Sequence, residues 1–369
     1  MPEDLTSTCH VTTVHSADDT RIFEKQCRSL AAAGHRVFLV APCGNDQIRE
    51  GVSVKALPKY RNRLLRATVG QMRALVRAHS ANTDIVHFHD PELIAAAILL
   101  RAFGARIVYD SHEDLAAQVF SKHYLPAYAR GLASWLARTL VWLWSVTAHQ
   151  IIAATPAIAK NFPRAFTIVV QNFPSKPAVS LSPSARTFGQ FCFVGGISND
   201  RGIVKVLDAL LDTDPETTRF VLAGRFTFER EQTEAFAHPA WQRVDYRGHV
   251  DRREADEILK YSVAGVLTYL PSPNHIESQP NKLFEYMGAG LPVIASNFDH
   301  WRGIISKHRC GVLVDPLDPR SIHAAMEWLL LNPEEARAMG QRGREAVLDS
   351  LNWQATFPLL QAAYRFAAP

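Results

Sequence analysis

The sequence lacks the marks of a secreted, membrane-spanning or nucleic-acid-binding chain. Its five cysteines, Cys9, Cys27, Cys43, Cys192 and Cys310, are odd in number and nowhere form a Cys-x-x-Cys pair. That argues against a zinc site or a disulfide framework and for a reducing compartment. No apolar run reaches the roughly 20 residues needed to cross a bilayer; the longest candidate, 131–148, is broken by Arg138. The first nine residues hold Glu3 and Asp4 and no apolar core, unlike a secretory leader. There is no repeat, no low-complexity tract and no basic segment interleaved with aromatics, so a solenoid, a disordered tail and a nucleic-acid reader are all set aside.

What is present is the composition of a folded globular protein. The chain has 369 residues, 47% apolar and 21% charged, enough for two domains of ordinary size. The net charge of +4 is unevenly divided: residues 1–175 carry 19 Lys+Arg against 13 Asp+Glu, and the remainder carry 21 against 23. Much of the surplus lies in 55–77, where Lys55, Lys59, Arg61, Arg63, Arg66, Arg73 and Arg77 interleave with Leu64, Leu65, Val69, Met72, Leu75 and Val76. On a helix this is either a basic amphipathic surface that attracts anionic lipid or a solvated helix packing its apolar side on its own domain. The stretch 124–148, with Trp135, Trp142 and Trp144 among Leu132, Leu136, Leu140 and Leu143, carries a similar pair of readings: a helix at a membrane surface, or a core helix or interdomain prop.

The chain is organised around residues 275–296, HIESQPNKLFEYMGAGLPVIAS. Glu277 and Glu285 flank an expected helix start, with Ser278 or Gln279 as cap, Pro280 in the first helical position, and good helix formers from Asn281 to Met287. Free N–H groups at that opening, the positive end of the helix dipole and Lys282 make a seat for a phosphate or diphosphate. Glu285 falls about two turns into the helix, so the two acids can reach hydroxyls on opposite sides of a bound anion. Gly288, Gly290 and Pro292 end the helix, and Leu291 to Ala295 reads as a short buried strand.

This pair of glutamates, followed by Tyr-Met-Gly-Ala-Gly-Leu-Pro-Val-Ile-Ala-Ser over 286–296, resembles the donor-binding motif of retaining glycosyltransferases of the GT-B fold, closest to glycosyltransferase family 4. The resemblance spans nearly all of the chain. It implies an α/β protein of GT-B architecture, with two Rossmann-like domains facing across a cleft: an acceptor-binding domain at 1–175, a nucleotide-sugar-binding domain at 176–352, and a C-terminal helix at 353–369 that crosses back to the first. It also implies that Glu277 lies beside the transferred sugar and Glu285 binds the ribose hydroxyls. The turn of Asn281, Lys282 and Leu283 then holds the diphosphate.

The first half reads as strands at 9–14, 36–41, 52–56, 84–88 and 105–110, with helices at 21–33 and 91–102. Ligands of such sheets sit at the carboxyl ends of the strands, which places the loop His15 to Arg21 at the site. Family 4 enzymes commonly carry glycines in this loop, and here there is none. Asp18 and Asp19 are either acceptor-binding groups or plain helix caps, and Arg21 either reaches an anionic acceptor or pairs with its neighbours. His87-Phe88-His89-Asp90 and Tyr109-Asp110-Ser111-His112-Glu113-Asp114 gather polar groups at the same edge. The resemblance puts His112 near the anomeric carbon, the alternative being a surface loop histidine. His89 and Asp90 either orient an acceptor or cap the helix at Pro91. A strand at 150–155, a helix at 156–162 and a strand at 167–171 close the domain, and 172–188, with three prolines and four serines, reads as the linker.

In the second half, the strand Phe191 to Val194 runs through Gly195-Gly196-Ile197-Ser198-Asn199-Asp200-Arg201-Gly202 into a helix at 203–211, a turn in which backbone can approach phosphate closely. The family carries a basic residue just after this strand and a Lys-Gly pair further on. Arg201-Gly202 matches the pair, whereas Gly196 stands where the first basic residue is usual. Arg225 either compensates for it or is a plain surface charge. Gly248, His249 and Val250, after a strand at 243–246, match the turn that packs on the nucleotide base. Strands at 262–269 and 311–315 and helices at 321–331, 333–350 and 353–367 complete the pattern.

The resemblance thus implies a retaining, metal-independent transferase moving a hexosyl group from a nucleoside-diphosphate sugar to a sugar, lipid-linked or small-molecule acceptor in polysaccharide or glycolipid assembly. The expected location is the cytoplasm, with contact at the cytoplasmic face of the membrane left open, and neither a cofactor nor a nucleic-acid partner is expected. Arg201, Lys282 and the helix end would neutralise the departing nucleoside diphosphate, the task of a divalent ion elsewhere, and no Asp-x-Asp metal pair stands out. The leaving phosphate would take the acceptor's proton, so no nucleophile is required. Two alternatives stand beside this reading. A nucleotide-sugar epimerase or hydrolase on the same fold would release epimer or free sugar from the donor alone. A non-catalytic nucleotide-sugar binder or membrane scaffold would not turn it over.

Overall fold

The structure, a computed structural model, describes residues 6–112, 127–177, 187 and 189–367. They form two compact units. One comprises the chain up to Asn172 together with the segment from Trp353 onward, and the other is Phe173–Asn352. Glu113 and Asp114 of the expected rim, the first turn of the expected Trp-rich helix at Tyr124, and 178–186 and 188 of the expected linker lie outside the described residues.

The first unit is built on eight strands: β1 (Ser7–Val11), β2 (Arg36–Pro42), β3 (Gln47–Arg49), β4 (Val52–Leu57), β5 (Ile85–Phe88), β6 (Arg106–Ser111), β7 (Gln150–Ala153) and β8 (Thr167–Val169), in the order β3-β4-β2-β1-β5-β6-β7-β8. Every pairing is parallel except β3 with β4. Parallel strands are covered on both faces, which is why β5 and β7 are buried at every residue. The helices Gln71–Ser80, Ile94–Ala102 and Ala127–Thr147 cover one face through Ala74, Ala78, Ala96, Ala97, Leu100 and Trp144. The opposite face is covered by the helical run Thr20–Cys27 and Arg28–Ala32 and by the last helix, Trp353–Ala367, which buries Trp353, Leu360, Ala363 and Tyr364. The Trp353 indole N–H donates to Ser29 Oγ at 2.7 Å.

The second unit holds six strands, β9 (Gln190–Val194), β10 (Arg219–Ala223), β11 (Val244–Gly248), β12 (Ala264–Leu267), β13 (Val293–Ser296) and β14 (Gly311–Val314), all parallel and ordered β11-β10-β9-β12-β13-β14. This is the doubly wound Rossmann order, and the first unit repeats it with the antiparallel β3 at one edge and one further parallel strand, β8, at the other. In such sheets the order reverses between two central strands, and ligands bind beyond their carboxyl ends. The reversals fall between β1 and β5 and between β9 and β12. Among the described residues, no helix is long and apolar enough to cross a membrane.

Candidate functional site

The carboxyl end of β9 carries the first half of the second unit's site. Gly195 adopts φ +144°, and a Cβ there would lie 1.8 Å from Lys282 Cε, because the lysine side chain runs along this glycine. Gly196 is exposed, and a Cβ on it would meet only Arg201 Cζ, at 4.0 Å. Two adjacent glycines therefore have two cations drawn over them. Gly202 holds the arginine's turn close to the sheet. Its φ is +77°, and a Cβ would lie 1.9 Å from the Thr268 carbonyl oxygen at the end of β12, so only glycine fits. Arg201 Nη1 donates to Tyr269 Oη at 3.2 Å, with the guanidinium 5.3 Å from the ring centroid.

The second half is the helix Asn281–Gly288. Tyr286 fixes it to the sheet: its ring packs where a Cβ on Gly265 would stand, at 2.3 Å, and its hydroxyl accepts from the Val194 N–H at 3.0 Å. This docking carries the Lys282 side chain to Gly195. Burial, then the neighbouring Arg201 charge, push the Lys282 ammonium below its usual pKa, while Glu285 opposes the shift. Among the described residues neither Arg201 nor Lys282 makes an ion pair with a carboxylate. Convergent cations without a counterion, at a helix start and a glycine turn, make an anion seat.

The helix start departs from the expected arrangement. Pro280 is the capping residue rather than the first helical one, and no side chain caps the helix, so the first-turn amides are not covered by a side chain. Ser278 Oγ donates instead to the His275 carbonyl, and Gln279 Oε1 lies 3.3 Å from His300. The Leu283 side chain is fully buried and its amide donates to Pro280 O at 3.1 Å, which corrects its expected part in holding a ligand. Asn281 and Lys282 stay at the opening. Glu285, whose side chain is 30% exposed, has Arg252 Nη1 3.9 Å away. Glu277 ends the short helix Pro273–Ile276, is exposed, and lies close enough to His300 to oppose its burial-lowered pKa.

The neighbouring strand ends line up beside this seat. Gly224, at the end of β10, packs against the Gly195 carbonyl, and its N–H donates to Gly248 O at 2.5 Å. Arg225 is exposed, and its carbonyl accepts from the Ile197 N–H. Gly248 takes φ +61° at the end of β11, followed by exposed His249 and half-buried Val250. The expectation that no Asp-x-Asp pair stands out needs correction, because Asp212-Thr213-Asp214 is one. It follows the far end of the helix Ile203–Leu211, where Asp214 Oδ1 accepts from the Glu216 N–H. It thus stands at the end of that helix away from the glycine turn.

In the first unit, several expected acceptor contacts are taken up internally. Arg21 is 5% exposed and clasps the buried Asp110, Nε to Oδ2 at 2.9 Å and Nη2 to Oδ1 at 2.7 Å. His89 is fully buried, 3.0 Å from His10 and 3.4 Å from Asp110. Asp90 does not cap the helix at Pro91 with its side chain. Its carboxylate accepts instead from the Thr13 and Val14 N–H groups and from the Thr12 and Thr13 hydroxyls, pinning the loop after β1 to the end of β5. Of the two readings open for Arg21, the geometry bears out pairing with its neighbours; His89 and Asp90 are bound internally and neither caps the helix at Pro91 with its side chain, which corrects their expected acceptor contact.

Asp19 caps the following helix, accepting from the Arg21 and Ile22 amides, with His15 Nδ1 at 3.1 Å. Burial acts to raise its pKa, but these hydrogen bonds hold the carboxyl far below the usual range. Asp18 is exposed and pairs with Arg49 at 2.5 Å. His112 stands half-exposed beyond β6 with its Nε2 3.2 Å from His15 Nε2. His15 was not singled out from the sequence, though its place in a loop at the carboxyl edge was the available signal. Tyr269, beneath Arg201, was missed in the same way at the end of β12.

Behind this rim lies a buried polar cluster. Tyr364 Oη is 2.7 Å from His87 Nδ1 and 3.0 Å from His10 Nε2, and Gln26 Nε2 donates to Asp110. Desolvation holds His10 and His87 well below the ordinary histidine pKa and brings His89 to about 3. The three rings could converge on a metal ion, but they are tied to one another and to Tyr364, with the Arg21 cation alongside.

Comparison with known proteins agrees with this architecture. Residues 20–169 match the family described as Glycosyltransferase Family 4, and residues 182–346 match Glycosyl transferases group 1. The chain is 25% identical over 283 residues to the D-rhamnosyltransferase WbpZ of Pseudomonas aeruginosa, covering 72% of this chain and 69% of that protein. Sucrose-phosphate synthase from Thermosynechococcus elongatus shares the fold at a TM-score of 0.78 and 17% identity, over 98% of both chains. Anabaena HepE, solved in complex with UDP, does so at 0.75 and 13%, over 98% of this chain and 99% of that one. The chain therefore belongs to the glycosyltransferases of the GT-B fold, with a family 4 domain followed by a group 1 domain.

Proposed function

We propose that the protein transfers a hexosyl group, with retention of configuration and without a metal ion, from a nucleoside-diphosphate sugar held by the second unit to an acceptor held by the first. The observation that carries this reading is the pair of cations, Arg201 and Lys282, that make no ion pair among the described residues and lie over Gly195 and Gly196 beside an uncapped helix start. In this reading they take the charge that develops on the departing diphosphate. Glu285 accepts from the ribose hydroxyls and Glu277 from those of the sugar. Gly248, His249 and Val250 pack on the base, and Arg225 adds charge where Gly196 supplies none. As the bond between the anomeric carbon and the phosphate oxygen breaks, the acceptor oxygen bonds on the same face and its proton passes to the leaving phosphate. His112, whose Nε2 lies 3.2 Å from His15 Nε2, is the residue we assign to the anomeric carbon.

The same reading gives the protein a place in polysaccharide or glycolipid assembly in the cytoplasm. Its similarity to a rhamnosyltransferase and five free cysteines support it. The test is a thermal-shift panel of UDP, GDP, ADP and their sugars, followed by product analysis with acceptor present and absent. Stabilisation by one nucleotide and acceptor-dependent product bear the proposal out. Release of free sugar or an epimer from donor alone contradicts it in favour of the epimerase or hydrolase.

A further inference from the structure

The outer face of the first unit's helical layer is apolar and basic at once. The helical run 63–80 turns Ala74 and Ala78 inward and leaves Leu65, Val69, Met72 and Val76 outward, at i, i+4, i+7 and i+11. On the adjoining helix Ile94–Ala102, Ile98 and Leu99 point outward, and Phe103 follows. The next helix, Ala127–Thr147, presents Trp135, Trp142 and Val146 at i, i+7 and i+11. Each of these ten side chains is 42–68% exposed, and the three helices pack side by side. Singly exposed apolar residues need no explanation, but three neighbouring rows mark an interaction surface.

Charge says what covers it. No Asp or Glu occurs over 51–83, 93–109 or 127–147, whereas Lys59, Arg61, Arg63, Arg73 and Arg138 are exposed there. Arg66 and Arg77 are paired, with Glu92 and Asp46; among the described residues, the five exposed cations make no ion pair. A second copy laid on this face would set these cations against their own kind. A bilayer carrying anionic headgroups instead offers acyl chains to the leucines and tryptophans and countercharge to the arginines. A groove of about 600 Å³ lined by Leu57, Met72, Arg73, Val76 and Arg77 opens in the same surface, joining apolar and cationic groups at one place.

We propose that this three-helix face docks the protein on an anionic lipid surface. The proposal does not depend on the donor assignment.

Flotation with vesicles of phosphatidylcholine alone and of phosphatidylcholine with phosphatidylglycerol tests it. The protein is expected to float with the anionic vesicles, to lose this in high salt, and to ignore the neutral ones. Trp135→Ser/Trp142→Ser and Arg61→Glu/Arg63→Glu/Arg73→Glu are each expected to weaken flotation by about tenfold or more while keeping wild-type nucleotide-induced stabilisation. Phe103→Ser serves if the tryptophan pair does not fold. Absence of flotation, flotation indifferent to these substitutions, or a lipid-free dimer that they dissociate would overturn the proposal.

Discussion

Lys282 and Gly195 come from opposite sides of the second unit's site, yet the lysine's Cε lies 1.8 Å from where a Cβ on the glycine would stand. The missing side chain is the lysine's channel. Gly195→Ala should therefore displace the ammonium and reduce nucleoside-diphosphate affinity about tenfold or more, the scale of a hydrogen bond to a charged group. Lys282→Met should give a similar loss by isothermal titration without the backbone strain that alanine meets at φ +144°. Wild-type affinity in both variants would remove Lys282 from the diphosphate seat.

Gly196 is open above except for the Arg201 guanidinium at 4.0 Å, and its φ is not in the left-handed range. A longer side chain fits. Gly196→Arg should add a third cation and tighten nucleoside-diphosphate binding several-fold, with a salt dependence steeper than wild type. Weaker binding would show that the site needs the open space for the ligand itself.

The two glutamates should separate cleanly. Glu285→Ala is expected to lose donor and nucleotide affinity together, whereas Glu277→Ala keeps nucleotide affinity and loses turnover, the signature of contacts made to the reacting sugar. Nucleotide titrations beside a transfer assay read both. Equal nucleotide affinities in the two variants and wild type would count against the assignments.

The buried histidines should make stability fall on mild acidification. His10, His87 and His89 are neutral in the fold, whereas unfolded histidine takes up a proton near pH 6.5. The unfolded chain thus binds more protons below that value. Stability is fully present above it and is lost as pH falls toward the His89 value of about 3. Asp110 and Asp19, both held far below the usual carboxylate range, contribute losses only at more acidic pH. Melting temperature should drop between pH 7 and pH 5, and His87→Gln should flatten the slope. A flat profile would mean that water or a rearrangement relieves the cluster.

The sequence showed the fold where pattern and structure share one cause. Buried parallel strands read as continuous apolar runs, so β5, β6, β9 and β12 were visible, and the glycine turn and paired glutamates located the second unit's site. It failed where residues choose among partners. Arg21, His89 and Asp90 look like ligands at a sheet edge, but only three-dimensional packing shows that Asp110 and the Thr12-Thr13 turn claim them. Polar helices such as Arg252–Tyr261 were passed over although the Asp251–Glu254 capping box marks the start, because the segment is charged overall and buries only Leu259. The edge strand β3, paired on one side only, was passed over for a similar reason.

The central claim is that Arg201 and Lys282 seat the diphosphate. Affinities of the matching nucleoside mono- and diphosphates, measured by titration for wild type and for Arg201→Ala/Lys282→Ala, test it most directly. The account expects the diphosphate to bind about thirtyfold or more tightly than the monophosphate in wild type, and this advantage to vanish in the double variant. An unchanged preference for the diphosphate in the variant would contradict it.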